Sequence, residues 1–189
     1  MASRINADSS NGLQLVSDSS GEIQFQSSGI TKATLNSSGL SSPGHVLQVI
    51  QATKTDNFTT TSTSFIDVTG LSVSITPSST SSKILVMADI SVGSAATAYS
   101  IYNLVRESTN IYQGTDTKTY VGSHIEYSNS NSVIGTLHMC YLDSPSTTSS
   151  TTYKVQMRVT GTQLTAVNRR VSADDTSLAS SITVMEIAG

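Results

Sequence analysis

Lys83-Ile84-Leu85-Val86-Met87-Ala88-Asp89-Ile90 is an almost unbroken apolar run, and Leu71-Ser72-Val73-Ser74-Ile75 just before it alternates strictly. Alternation puts branched side chains on one face of a pleated strand and hydroxyls on the other, so that strand is wet on one side. A continuous run has no wet side and belongs in the middle of a sheet. Thr76-Pro77-Ser78-Ser79-Thr80-Ser81-Ser82 between them has the composition of a turn. The pair predicts an all-β chain.

The same alternation of strand and punctuation extends in both directions. Further strands are expected at Val46–Thr53, Ser64–Val68, Tyr99–Glu107, Tyr120–Tyr127 and Val133–Leu142, then at Tyr153–Thr160, Leu164–Asn168 and Ser181–Ile187. The 128–132 and 143–150 stretches are turns rich in Ser, Asn and Pro. Eight to ten strands at this spacing fit a two-sheet sandwich or jelly roll. Ala95-Ala96-Thr97-Ala98 is the one segment read as a helical turn.

Composition narrows the function. Ser and Thr supply 62 of the 189 residues, and hydroxyl residues suit strands and turns better than helix interiors. Only 12% of residues are charged, and the net charge of −3 argues against a nucleic-acid partner, which requires a basic face. No window approaches the ~18 apolar residues of a membrane span, so no membrane insertion is expected. Met1-Ala2-Ser3-Arg4-Ile5-Asn6 lacks the apolar core of a signal peptide, implying synthesis in a cytoplasm. The single Cys140 excludes an intrachain disulfide and reads as a buried thiol.

Residues 1–44 carry a short repeat. Gly12, Gly21, Gly29 and Gly39 each close a small polar turn, three of them Ser-Ser-Gly. Between the turns lie brief alternating segments bearing Leu13 and Leu15, Ile23 and Phe25, and Ile30 to Leu35. Strands this thin bury too little to stand alone, so they would stack on copies of themselves or lie on a larger protein. Leu13, Leu15, Ile23 and Phe25 are the candidate attachment residues. Ser41-Ser42-Pro43-Gly44 marks the boundary with a second domain, 45–189.

A search for catalytic chemistry returns nothing specific. The chain has no G-x-S-x-G elbow, phosphate loop, dinucleotide fingerprint or H-E-x-x-H motif. His45, His124 and His138 are its only histidines. His138 alternates with Leu137, Met139 and Tyr141 and reads as a structural imidazole or an inter-subunit contact. His124 and Glu126 share one face of a strand and would make half a metal site, which a polar sheet face explains equally well. Arg169-Arg170 and Asp174-Asp175 read as a self-neutralising loop. No enzyme, metal or cofactor is expected.

Binding chemistry is better represented. Five of the seven tyrosines, Tyr99, Tyr102, Tyr112, Tyr120 and Tyr127, fall within one short stretch beside Asn110, Gln113, Asp116, Asn129 and Asn131. Tyr offers a flat apolar face and a polar tip, which suits sugar or protein recognition as well as a core or a subunit interface. Tyr112, Asp116, Tyr120, Tyr127 and Asn129 are the candidate contact residues. Arg106 and Glu186 lie inside apolar strands and must find partners. They are expected to meet each other or a symmetry mate at a subunit interface.

His45–Asp56, Thr63–Pro77, Ser81–Val86, Asn103–Ser108, Ile111–Gly114, Leu142–Pro145 and Ile182–Ile187 resemble short fibre proteins of marine and cyanobacterial tailed phages. The Ser-Ser-Gly repeats resemble the stems of such fibres. The resemblance implies a homotrimer with a stem or virion-attachment segment, 1–44. Its 45–189 head would be a jelly-roll-like β-sandwich similar to the C1q and tumour-necrosis-factor class. The implied partners are other virion proteins of tail or capsid and a host surface glycan or protein. Three functions follow as expectations: a tail fibre or spike whose head contacts the host, a capsid head fibre or decoration protein docked through 1–44, and a polysaccharide-degrading spike.

Overall fold

The computed structural model describes residues 20–37, 39–173 and 175–189, so Leu13, Leu15, Gly12 and Asp174 lie outside the described residues. The chain divides into two compact units, 1–45 and 46–189. Every described regular element is a strand.

In the first unit, β1 (Ile23–Ser27), β2 (Ile30–Asn36) and β3 (Gly39–Ser41) form an antiparallel three-stranded sheet. Ser27 pairs with Ile30, leaving Ser28-Gly29 as a two-residue hairpin loop with φ of 52° and 74°. Positive φ at both loop positions gives the backbone twist that tight hairpins favour, and glycine adopts it without steric cost. Phe25, Ile30, Leu35 and Leu40 are all exposed. Among the described residues the sheet has no core of its own.

The second unit holds β4 (Val46–Lys54), β5 (Phe58–Thr60), β6 (Ile66–Ile75), β7 (Lys83–Ser94), β8 (Ala98–Arg106) and β9 (Thr109–Tyr112). It continues with β10 (His124–Ser128), β11 (Gly135–Asp143), β12 (Thr151–Val159), β13 (Thr165–Val167) and β14 (Ser180–Ile187). One sheet runs β10-β8-β12-β6, with β9 following β10's side of β8. The other runs β4-β14-β7 with β11 on the far side of β7, and β13 with β5 continues the β14 and β4 columns. All these strand pairs are antiparallel.

Both sheets contribute to one core, including Leu71, Val73 and Ile75 of β6, Ile84, Val86 and Ile90 of β7, Leu104 of β8 and Val155 and Met157 of β12. The unit is therefore sandwich-like. The strict alternation of Leu71–Ile75 gives alternating burial, and Lys83–Ile90 lies centrally between β14 and β11.

Several sequence expectations are corrected. The two strands expected at Ser64–Val68 and Leu71–Thr76 are replaced by a single strand, β6 (Ile66–Ile75), whose pairing with β12 skips at a bulge around Gly70 (φ 90°). The stem of the buried Lys54 packs over that glycine. Ala95–Ala98 is not helical: Thr97 is left-handed (φ 66°), its N–H donates to Ser128 O, and the Ala96 N–H donates to Asn131 Oδ1. That turn carries the chain from one sheet to the other. Cys140 is exposed, because Leu137 and Met139 take the inward positions of β11 and leave the even-numbered ones outside.

Arg106 and Glu186 do not pair with each other. Arg106 Nη1 lies 2.7 Å from Asp143 Oδ2, which also accepts the Tyr153 hydroxyl at 2.7 Å. This links the ends of β8 and β12 in one sheet to β11 in the other. Glu186 is fully buried and accepts from the Ser78 N–H, the Ser78 and Ser82 hydroxyls and Gln48 Nε2 at 2.6–2.7 Å. Each charge is satisfied within its own chain.

Candidate binding surface

Strand β8 has an unusual outer face. Tyr102 and Leu104 point into the core, so Ile101, Asn103 and Val105 alternate to the opposite side, yet all three are buried. The 113–123 segment between β9 and β10 lies against this face. Its neck is held by a Gly114 N–H to Gly122 O bond of 3.4 Å, and the Ser123 N–H donates to Tyr102 O at 2.7 Å. Ser123 Oγ donates to Tyr112 O and accepts from the Leu104 N–H.

Gly122 makes this approach possible. A Cβ there would stand 2.4 Å from Ile101 Cγ2 and 2.9 Å from Tyr102 O, closer than backbone and side chain tolerate. It would also reach within 3.3 Å of Asn103 Oδ1. Asn103 therefore lies beneath Gly122, fully buried, with neither its amide oxygen nor its amide nitrogen in a hydrogen bond.

Along the segment lies a hollow of about 130 Å³, lined by residues including Gly114, Asp116, Lys118, Tyr120, Gly122 and Ile125. Asp116 and Lys118 form an ion pair at 3.3 Å with about 70% of each side chain exposed. Their charges remain available to a ligand. Beside the hollow three rings gather: Tyr99 has its centroid 4.7 Å from Tyr120 and 4.9 Å from Tyr127. Tyr120 and Tyr127 are exposed, so the cluster presents an aromatic platform.

The host-contact candidates thus fall in different places. Asp116 and Tyr120 share the hollow, and Tyr127 joins Tyr120 through Tyr99. Tyr112 stands apart, stacked on Tyr141 at 5.4 Å, where β9 meets β11. Asn129 is exposed in the turn after β10, while Asn131 is occupied by Ala96 and Ser172. Asn110 donates to Gln113 at 2.9 Å. Sequence reasoning missed Asn103 and Gly122. Positive charge at a loop or an aromatic in a strand advertises itself, whereas a glycine matters only once it is known to rest on a neighbouring strand.

His124 Nε2 and Glu126 Oε2 are 3.7 Å apart, and no group of three or more His, Cys, Asp or Glu positioned for a metal occurs among the described residues. His138 Nδ1 contacts Asp89 Oδ1 on the exposed face of β11 and β7. Burial, and then the hydrogen bond to Asp143, drives the Tyr153 phenol well above its ordinary range, so it serves as a neutral donor. No family model matches the chain, and no curated protein does.

Proposed function

We propose that the chain is a virion structural protein, a homotrimeric phage tail fibre or spike whose head contacts the host surface. One observation supports self-association, and the number three comes from the resemblance to phage fibres. On the outer side of the second unit's β4–β14–β7–β11 sheet, Val49, Met185, Leu85 and Leu142 stand in cross-strand register as a continuous apolar row. Val49 and Leu142 are 54% and 52% exposed. Met87 and Cys140 extend the row by a second pair.

A sheet with its core face already filled gains nothing from apolar residues on its other face unless another surface covers them. The coreless three-stranded sheet of the first unit has the same need. Self-association in a closed ring meets both at once. The strand order supports a jelly roll: β4-β14-β7-β11 faces β6-β12-β8-β10, the arrangement in which strands alternate between two four-strand sheets. Together with the resemblance of the sequence to phage fibres, these features support a head-and-stem spike.

A second reading is favoured by Phe25, Ile30, Leu35 and Leu40, whose exposure on the small sheet suits docking against a capsid. Copies per particle separate the two, since shell decoration far outnumbers tail appendages. The direct test is adsorption: purified protein should compete with phage for host cells. A folded, assembled protein that neither binds cells nor slows adsorption would overturn the host-contact reading.

A further inference from the structure

We propose that the hollow over β8 is a saccharide subsite that takes one pyranose ring, a deepening that rests on the host-contact reading above. The aromatic platform and the charged pair converge on that chemistry. A sugar ring has an apolar C–H face and an equatorial rim of hydroxyls. Tyr120, supported by Tyr99 and Tyr127, supplies a ring face for the first. For the second, Asp116 is an acceptor and Lys118 a donor on the same wall.

Size agrees as well: about 130 Å³ is below the ~300 Å³ of a drug-sized pocket, enough for one ring of a glycan whose remainder runs over the surface.

The test uses the full-length protein and a panel of methyl pyranosides of gluco, galacto, manno and rhamno configuration, followed by saturation-transfer and chemical-shift NMR. At least one should bind with a dissociation constant of ~1–10 mM, ordinary for so small a ligand. The shifts should centre on Gly114, Tyr120 and Gly122. Tyr120→Ala and Asp116→Asn should each weaken binding roughly tenfold, as for loss of one ring contact or one charge-assisted bond. Tyr112→Ala, whose ring stacks on Tyr141 outside the hollow's lining, should leave it unchanged.

No shift with any pyranoside, or shifts that survive both Tyr120→Ala and Asp116→Asn, overturns the subsite. If the protein still competes for host cells in that event, host contact stands and uses another surface.

Discussion

Asn168 holds together a junction that no pairwise strand contact would hold. It follows β13 in the left-handed region (φ 66°) and is fully buried. Its Nδ2 donates to Lys54 O and Asp56 O, its Oδ1 accepts the Ser180 hydroxyl, and its N–H donates to Ser91 O. Those partners belong to β4 and the loop after it, to β14 and to β7, so one residue ties three columns of the sheet. Asn168→Ala strands two carbonyls and a hydroxyl and strains the backbone, and should cost about 2–4 kcal/mol in chemical denaturation. Glu186 is a comparable device with a charge. Burial pushes its carboxyl up, but the bonds from Gln48, Ser78 and Ser82 outweigh that and hold it below the ordinary value of 4.5. Because the folded state lowers the pKa, its stabilisation is complete above that ordinary value and is lost as pH falls through the folded one. Thermal unfolding between pH 7 and pH 3 should therefore show Glu186→Gln less stable at neutral pH and less sensitive to acid than the parent. Equal slopes would count against it. For Arg106, a double-mutant cycle with Asp143 should show coupling of about 1 kcal/mol or more, given Arg106's partial exposure, while a cycle with Glu186 should close to within about 0.5 kcal/mol.

Strands were legible where a run of residues carries a period. Leu71–Ile75 and Lys83–Ile90 announce their place in a sheet because alternation and its absence report how many faces are covered. Phe58–Thr60, Thr109–Tyr112 and Gly39–Ser41 are too short to show a period, and they form only because β13, β8 and β2 offer unpaired edges. Tyr120–Ser123 reads as the start of a strand, yet Gly122 and Ser123 turn that segment down onto β8 instead, and β10 starts at His124. The candidate surface was half legible for the same reason: tyrosines and acids are visible in a list, whereas the sheet that brings Tyr99 beside Tyr127 and Asn103 under Gly122 is a long-range fact. Which partner Arg106 takes is equally non-local, because it depends on which strand of the opposite sheet ends beside β8. At this scale the apolar row of β4, β14, β7 and β11 makes its own prediction. Met185→Lys places a charge at its centre without touching the core, since Met185 lies on the outer side of β14 beside the buried Val184 and Glu186. The variant should keep the far-ultraviolet spectrum of strands and lose self-association. A Met185→Lys protein that assembles normally would remove the row from the interface.

Across the whole molecule, the two units differ in how they are stabilised. Residues 46–189 enclose a core drawn from two sheets, whereas the small sheet of residues 23–41 leaves its large apolar side chains exposed. An apolar row outside a finished core and a sheet without a core are both explained by copies of one chain covering each other. The measurement that tests this most directly is the solution mass of the intact protein at micromolar concentration, by light scattering or sedimentation. The expected value is three times the 19.8 kDa chain, falling to a single chain for Met185→Lys. A stable, folded species of 19.8 kDa for the unaltered protein would contradict it.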